Sequence, residues 1–409
     1  MATDLNQRPN LFKKEVTDVP NFIIPESLDT LSNLWAKAKI SPIHELEQGY
    51  LGSGSKVTQT QYLALRIIRS SSIRKPEYIK RSSKRFGLDK IWNDATDRVA
   101  RSTEYKAYLQ LIRMGISVID LASDHPSYSG SFKPVKRVQE QIAAVQDVDI
   151  PPEHRYRQWN QQLYKVAKSD TRKEKGKMAK LRPSFALKLS SRKPSQRDSA
   201  RNAKELISAQ VSEQSEGPPI PESAVEVDEP YVDKYYEALY ETTPSSALIL
   251  LLQGVSELVE GTGLEWTFDH IHLKASFDRG SFNAWTDGAF QTRGGKDILA
   301  IVEVKKKPRE RKEMEILMQE GAEMVAWLMR ENGRLPDLNG HRVLISQDCD
   351  KIWVTFAICH PDYIEYIKRK GKITDNTFLK MQTFGPFDVN NVKHMDILAV
   401  LITAITLKA

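Results

Sequence analysis

A mixed α/β fold is predicted for the C-terminal part of the chain, preceded by a smaller helical part, and three observations predict it. Asp297 to Lys305 is a short run of branched apolar residues with the length and composition of a buried strand, ending in Glu303-Val304-Lys305. Gln291 to Asp297 is Gly-rich and polar, as a hairpin loop is, and Ser281 to Phe290 ahead of it reads as the partner strand. After Pro308, Met314, Leu317, Met318, Ala322, Val325 and Leu328 recur at helical spacing.

Residues 1–25 contain Pro9, Pro20 and Pro25, lack periodicity and read as an extended arm. Residues 26–160 read as a helical domain: a helix after Pro25 with Leu28, Leu31, Leu34 and Trp35, a second over Thr58 to Arg69, and more helix from Leu88 to Met114. Residues 161–230 read as a linker, first basic and then acidic and Pro-rich. Residues 231–409 open with helices over Tyr231 to Thr242 and Ser245 to Glu260, the second started by Pro244 and stopped at Gly261. A strand over Leu264 to Phe277, the hairpin and its helix follow. Strands over His341 to Gln347 and Ile352 to Cys359, a helix from Pro361, a strand near Phe378 to Phe384 and a helix over Asn391 to Leu407 complete the chain.

A chain of 409 residues is long enough for two or three domains. Its net charge of +7 fits a polyanionic partner. The two cysteines, Cys349 and Cys359, show neither a zinc spacing nor a disulfide framework. The polar N-terminus is not a signal peptide and no apolar run is long enough for a bilayer, so an intracellular, non-membrane protein is expected. Lys173, Lys175, Lys177, Arg192 and Lys193 belong to a basic tract that reads as a nucleic-acid tether, a nuclear signal or a plain solvated linker. The basic run from Arg69 to Arg85 can grip phosphates or form a solvated helix face.

Glu303 and Lys305, two residues apart on a strand, share a face. Folding the hairpin brings Asp287 opposite Glu303, so two carboxylates and an ammonium converge. Hard divalent cations take a few carboxylate oxygens and keep positions for water and phosphate. A neighbouring lysine can orient or deprotonate a water and offset charge on phosphorus. The same letters also fit a solvated ion pair at a sheet rim. His270 and His272 are also two apart; a metal pair is conceivable there, and a plain strand surface is preferred.

Asp287, Glu303-Val304-Lys305 and the helix carrying Gln319 resemble the core of the PD-(D/E)XK nuclease superfamily, including its fungal-type members, over about the last two-fifths of the chain. Thr286 stands where the family name has proline. The resemblance implies a restriction-endonuclease-like mixed sheet flanked by helices and metal-dependent hydrolysis of phosphodiester bonds. It implies Mg2+ or Mn2+ held by Asp287, Glu303 and the Val304 carbonyl, with Lys305 and Gln319 at the reacting centre and Glu257 as an assisting helical acid. Lys306, Lys307 and Arg309 would join the basic tract in gripping nucleic acid, DNA before RNA. The alternative is an inactive nuclease fold that binds nucleic acid or protein. The oligomeric state stays open, a homodimer being one option.

Overall fold

The structure, a computed structural model, describes residues 19, 21–70, 74–115, 117, 130–146, 229–295, 297–305, 308–309, 312–330 and 335–409, with backbone alone for 143–146 and 229–242. The chain divides into two compact units, residues 1–147 with 235–409, and residues 148–234. The first unit holds the sheets, their helices and the candidate site. Among the described residues no helix is long and apolar enough to cross a membrane, and neither Cys349 nor Cys359 is in a disulfide.

This unit is mixed α/β and is built on a seven-stranded sheet. Its strands are β1 (Ile67–Arg69), β2 (Leu264–Thr267), β5 (Gly288–Thr292), β6 (Ile298–Lys305), β7 (Arg342–Asp348), β8 (Lys351–Cys359) and β9 (Leu379–Asp388), in the spatial order β1-β9-β8-β7-β6-β5-β2. The β1/β9 and β6/β7 pairs are parallel and the others antiparallel. A separate two-stranded sheet pairs β3 (Ile271–Ser276) with β4 (Ser281–Thr286).

The expected helical domain over 26–160 is not a body of its own in its described part. The helix expected over Thr58 to Arg69 is cut short. Helix α2 spans Gln59–Ala64, Arg66 takes a positive φ of 52°, and Ile67–Arg69 enter the main sheet beside β9. Helix α1 (Leu28–Ala38) is capped by Ser27 and buries Leu31 and Leu34. It shares one apolar core with α2, with helix α8 (Glu313–Met329), with helix α9 (Pro361–Arg369) and with the inner face of β3–β4. The opposite face of the main sheet packs on α4 (Trp92–Arg101), α5 (Thr103–Met114), α6 (Phe132–Gln146), α7 (Glu229–Ser256) and α10 (Val392–Lys408), while the short α3 (Tyr78–Ser82) precedes them in the chain.

Two further departures have local causes. The helices expected on either side of Pro244 are one helix, α7. A proline inside a helix costs about 3 kcal/mol, and the buried Ala247, Leu248, Ile249, Leu251, Leu252 and Val255 outweigh it. Helix α8 is buried nearly all round from Ile316 to Leu328 instead of along one stripe, with Met314 exposed. It is enclosed because β3–β4 and α2 cover the side turned away from the main sheet.

Strand β6 sets up the site through its alternation. Past the register shift that pairs Phe290 with Ala300 and Gln291 with Ile298, Ala300, Val302 and Val304 join the core under α7 and α10, whereas Ile301 between them joins the core under α8. Glu303 and Lys305 follow Ile301 on the α8 side. Glu303 thus occupies a position that the pattern reserves for an apolar core residue.

Candidate active site

Asp287 lies at a branch point. The strand expected over Leu264 to Phe277 divides into β2, paired with β5 in the main sheet, and β3, paired with β4. The strand expected over Ser281 to Phe290 divides at Asp287 into β4 and β5. Both chains leave the main sheet together, since Thr267 faces Ala289 and Ile271 faces Thr286. The next residue must be small: a Cβ on Gly288 would lie 2.5 Å from the Thr267 carbonyl oxygen.

The hairpin pairs Gly288 with Val302, and the Asp287 N–H donates to the Val302 carbonyl (2.9 Å). The Val304 N–H in turn donates to Asp287 Oδ2 (2.7 Å). The N–H and C=O of one strand residue point to the same edge, so the Val304 carbonyl also faces Asp287, beyond the end of β5. Asp287 and Lys305 are partly exposed, and Glu303 is 3% exposed between them.

Lys305 Nζ donates to Glu303 Oε1. Gln319 Nε2 donates to the same oxygen at 2.6 Å and to Glu323 Oε1 at 2.7 Å. Gln319 and Glu323 are four residues apart on α8 and so stand one above the other. Glu303 Oε2 and Glu323 Oε2 are buried without a hydrogen-bond partner. A proton held between the carboxyls, or a cation, would satisfy them.

Burial pushes Glu303 up to about 8, opposed by Lys305 and helped by Asp287. Glu323 rises well above its ordinary range through burial and then through Glu303. Burial works against the charge on Lys305, but Glu303, Glu323 and Asp287 outweigh it and hold the ammonium above its ordinary range. Of the two chemistries expected for Lys305, this favours charge stabilisation over taking a proton from water.

These shifts make stability depend on pH. The folded chain keeps a proton on Glu303 up to about pH 8, while the unfolded chain releases it near 4.5. Between these values the folded state binds more protons, so stability falls as pH rises. The melting temperature in EDTA is expected to fall from pH 5 to pH 8, with a shallower slope for Glu303→Gln. Glu323, raised in the same direction, keeps part of the slope. Equal slopes in the two proteins would show that Glu303 carries no such proton.

Two expected site residues lie elsewhere. Glu257 follows the end of α7, is exposed, and lines a cleft of about 590 Å³ with Arg98, Arg101, Glu104, Phe132 and Glu260. Arg309, expected on a nucleic-acid-binding surface, is 2% exposed inside the unit. Its Nε donates to Asp348 Oδ2 (2.8 Å), and its Nη2 donates to Glu320 Oε1 (2.6 Å) and Ser346 Oγ (3.0 Å). Its guanidinium lies 4.2 Å from the Trp353 ring centroid. Glu320 also accepts from Arg69 Nη2 (2.9 Å), which takes Arg69 out of the basic run expected at the surface. Its two acid partners explain the inward turn: burial opposes the Arg309 charge, but Glu320 and Asp348 outweigh it and hold that charge firmly. Arg74, Lys80, Arg81, Lys84 and Arg85 are exposed. Lys306, Lys307, Lys173, Lys175, Lys177, Arg192 and Lys193 lie outside the described residues.

The two histidines do not share a strand face. His270 precedes β3, with Nδ1 3.0 Å from the Thr286 carbonyl oxygen and 3.7 Å from Asp287 Oδ1. His272 stacks on Trp285. Glu323 is the residue that sequence reasoning left out of the site, although its spacing from Gln319 placed it on the same side of the helix.

Among the described residues, no three His, Cys, Asp or Glu side chains are grouped closely enough to hold an ion by themselves. The set on offer is two carboxylates, Asp287 and Glu303, with the Val304 carbonyl on the same edge. That count suits Mg2+, which keeps several waters and binds through one or two carboxylates together with substrate phosphate. Comparison of the chain with protein-family models, with curated proteins and with solved structures finds no match in any of the three.

Proposed function

We propose that the chain is a metal-dependent phosphodiesterase acting on nucleic acid, with a nuclease-like core of the PD-(D/E)XK kind. The observation that carries this reading is the placement of a buried carboxylate, a partly exposed carboxylate and a firmly charged lysine at one strand end. Supporting it, helix α7, the antiparallel set β2-β5-β6, helix α8 and the parallel strand β7 follow the order expected of that core.

Asp287, Glu303 and the Val304 carbonyl would hold Mg2+ or Mn2+. When bound, the ion would offset phosphate charge and lower the pKa of a coordinated water. Asp287 is fixed by the Val304 N–H, and Glu303 is fixed by Lys305 and Gln319. Lys305 presents its charge at the partly exposed rim, where negative charge grows on the phosphate oxygens. Gln319 holds the orientation of Glu303 from behind and is itself held by Glu323.

The deciding assay offers the purified full chain DNA and RNA, single- and double-stranded, with Mg2+, with Mn2+ and in EDTA. Cleavage is expected with metal, none in EDTA, and none for Asp287→Asn or Glu303→Gln. No cleavage of any substrate with either metal removes the proposal. A second reading, binding without turnover on the same core, draws on the depth of Glu303 and on the two donors already capping its Oε1. It predicts salt-sensitive nucleic-acid binding that survives neutralisation of both acids.

A further inference from the structure

The two-stranded sheet that branches off at Asp287 has one face in the core, through Leu273, Ala275, Phe282 and Ala284. Its other face carries His272 opposite Trp285 and Lys274 opposite Asn283, all exposed. Trp285 is 57% exposed, more than any other exposed large apolar side chain among the described residues. The indole is nevertheless held in place. The His272 ring stacks on it at 4.5 Å between centroids and 29° between planes, and His272 Nε2 is anchored 2.9 Å from Asn283 Oδ1.

A surface tryptophan braced by its cross-strand neighbour offers a preoriented aromatic face with little side-chain freedom left to lose on binding. Lys274 and Arg279 add exposed positive charge on the same hairpin. Trp285 precedes Asp287 by two residues, a rise of about 7 Å along a strand. An indole with Lys274 diagonally across the same face, and next to the proposed phosphodiester site, matches an unpaired nucleotide, because the ring stacks on a base of any sequence and the cation meets its phosphate. A base inside a duplex has both faces covered by its neighbours and cannot use the ring.

We propose that His272 and Trp285 form a stacking platform for an unpaired base of single-stranded nucleic acid, next to the Asp287–Glu303–Lys305 site. The fate of the neighbouring phosphate rests on the function proposed above, whereas the binding does not. The test measures the affinity of the full chain, in EDTA, for labelled oligothymidylate, oligouridylate, an abasic strand of the same length and a duplex. Trp285→Ala is expected to weaken binding to an intact single strand by about 5- to 150-fold, the range for one stacked base. Trp285→Phe should keep most of the affinity, and duplex binding should not change. The abasic strand should bind the unmodified protein about as weakly as the intact strand binds Trp285→Ala. The DNA and RNA arms identify the sugar.

Equal affinity of the unmodified protein for intact and abasic strands overturns the platform, and this comparison needs no variant to fold. Unchanged affinity in a folded Trp285→Ala protein overturns it as well, and would leave the face to a protein partner. A chain that binds through Trp285 but cuts nothing keeps the platform and loses the nuclease. A chain that cuts, yet binds equally well without the indole, does the reverse.

Discussion

Lys305→Ala is expected to lower metal-dependent cleavage by about 10²- to 10³-fold, the usual loss when one preorganised donor is removed from developing charge. Folding should survive the change. Lys305 sits at the rim, and Glu303, already inclined to keep its proton, can stay neutral once its cation is gone. Initial rates with Mg2+ or Mn2+, together with melting curves, separate the two effects. A folded Lys305→Ala protein that cuts at the original rate would remove the lysine from the mechanism.

Arg309→Ala is expected to destabilise the folded chain by about 3–5 kcal/mol, because it strips the cation from a buried pair and leaves the acids behind. Glu320 retains Arg69, but Asp348 loses its guanidinium partner in a place where burial already pushes the carboxyl up to about 6. Arg309→Lys should not restore stability. One ammonium cannot reach Asp348, Glu320 and Ser346 in the fork geometry that the guanidinium supplies. Denaturant unfolding is the measurement. Unchanged stability with weakened nucleic-acid affinity would return Arg309 to the surface role that its sequence neighbours suggest.

The contrast between these two positions explains what the letters reveal. The Glu303–Lys305 arrangement was readable because a period of two, a Gly-rich hairpin and an upstream acid are local signals that fix face and register. The Arg309 network was not readable. Its partners are Glu320, Asp348 and Arg69, remote from one another in the chain, and the run from Lys305 to Lys312 looks like any solvated basic stretch. Glu257 was expected at the site from its place on a helix alone; it stands one residue past α7, exposed, and lines the cleft beside Arg98 and Arg101, a direction that helical periodicity did not reveal. Strand β1 escaped notice because three residues are too few to display alternation. The all-round burial of α8 escaped for a related reason, as its outer cover comes from α2, expected in a separate domain, and from the β3–β4 hairpin, expected within the main sheet.

Strand β1 has a practical consequence for anyone expressing the C-terminal portion from residue 231 alone. Such a fragment would lack Ile67–Arg69 along β9 and the Tyr62 and Ile67 side chains that nestle against Gly321. It would present an open row of backbone donors and acceptors next to bare apolar surface, the combination that drives edge-to-edge aggregation. Supplying the N-terminal piece as a separate polypeptide should rescue its solubility, because the two pieces are halves of a single folding unit.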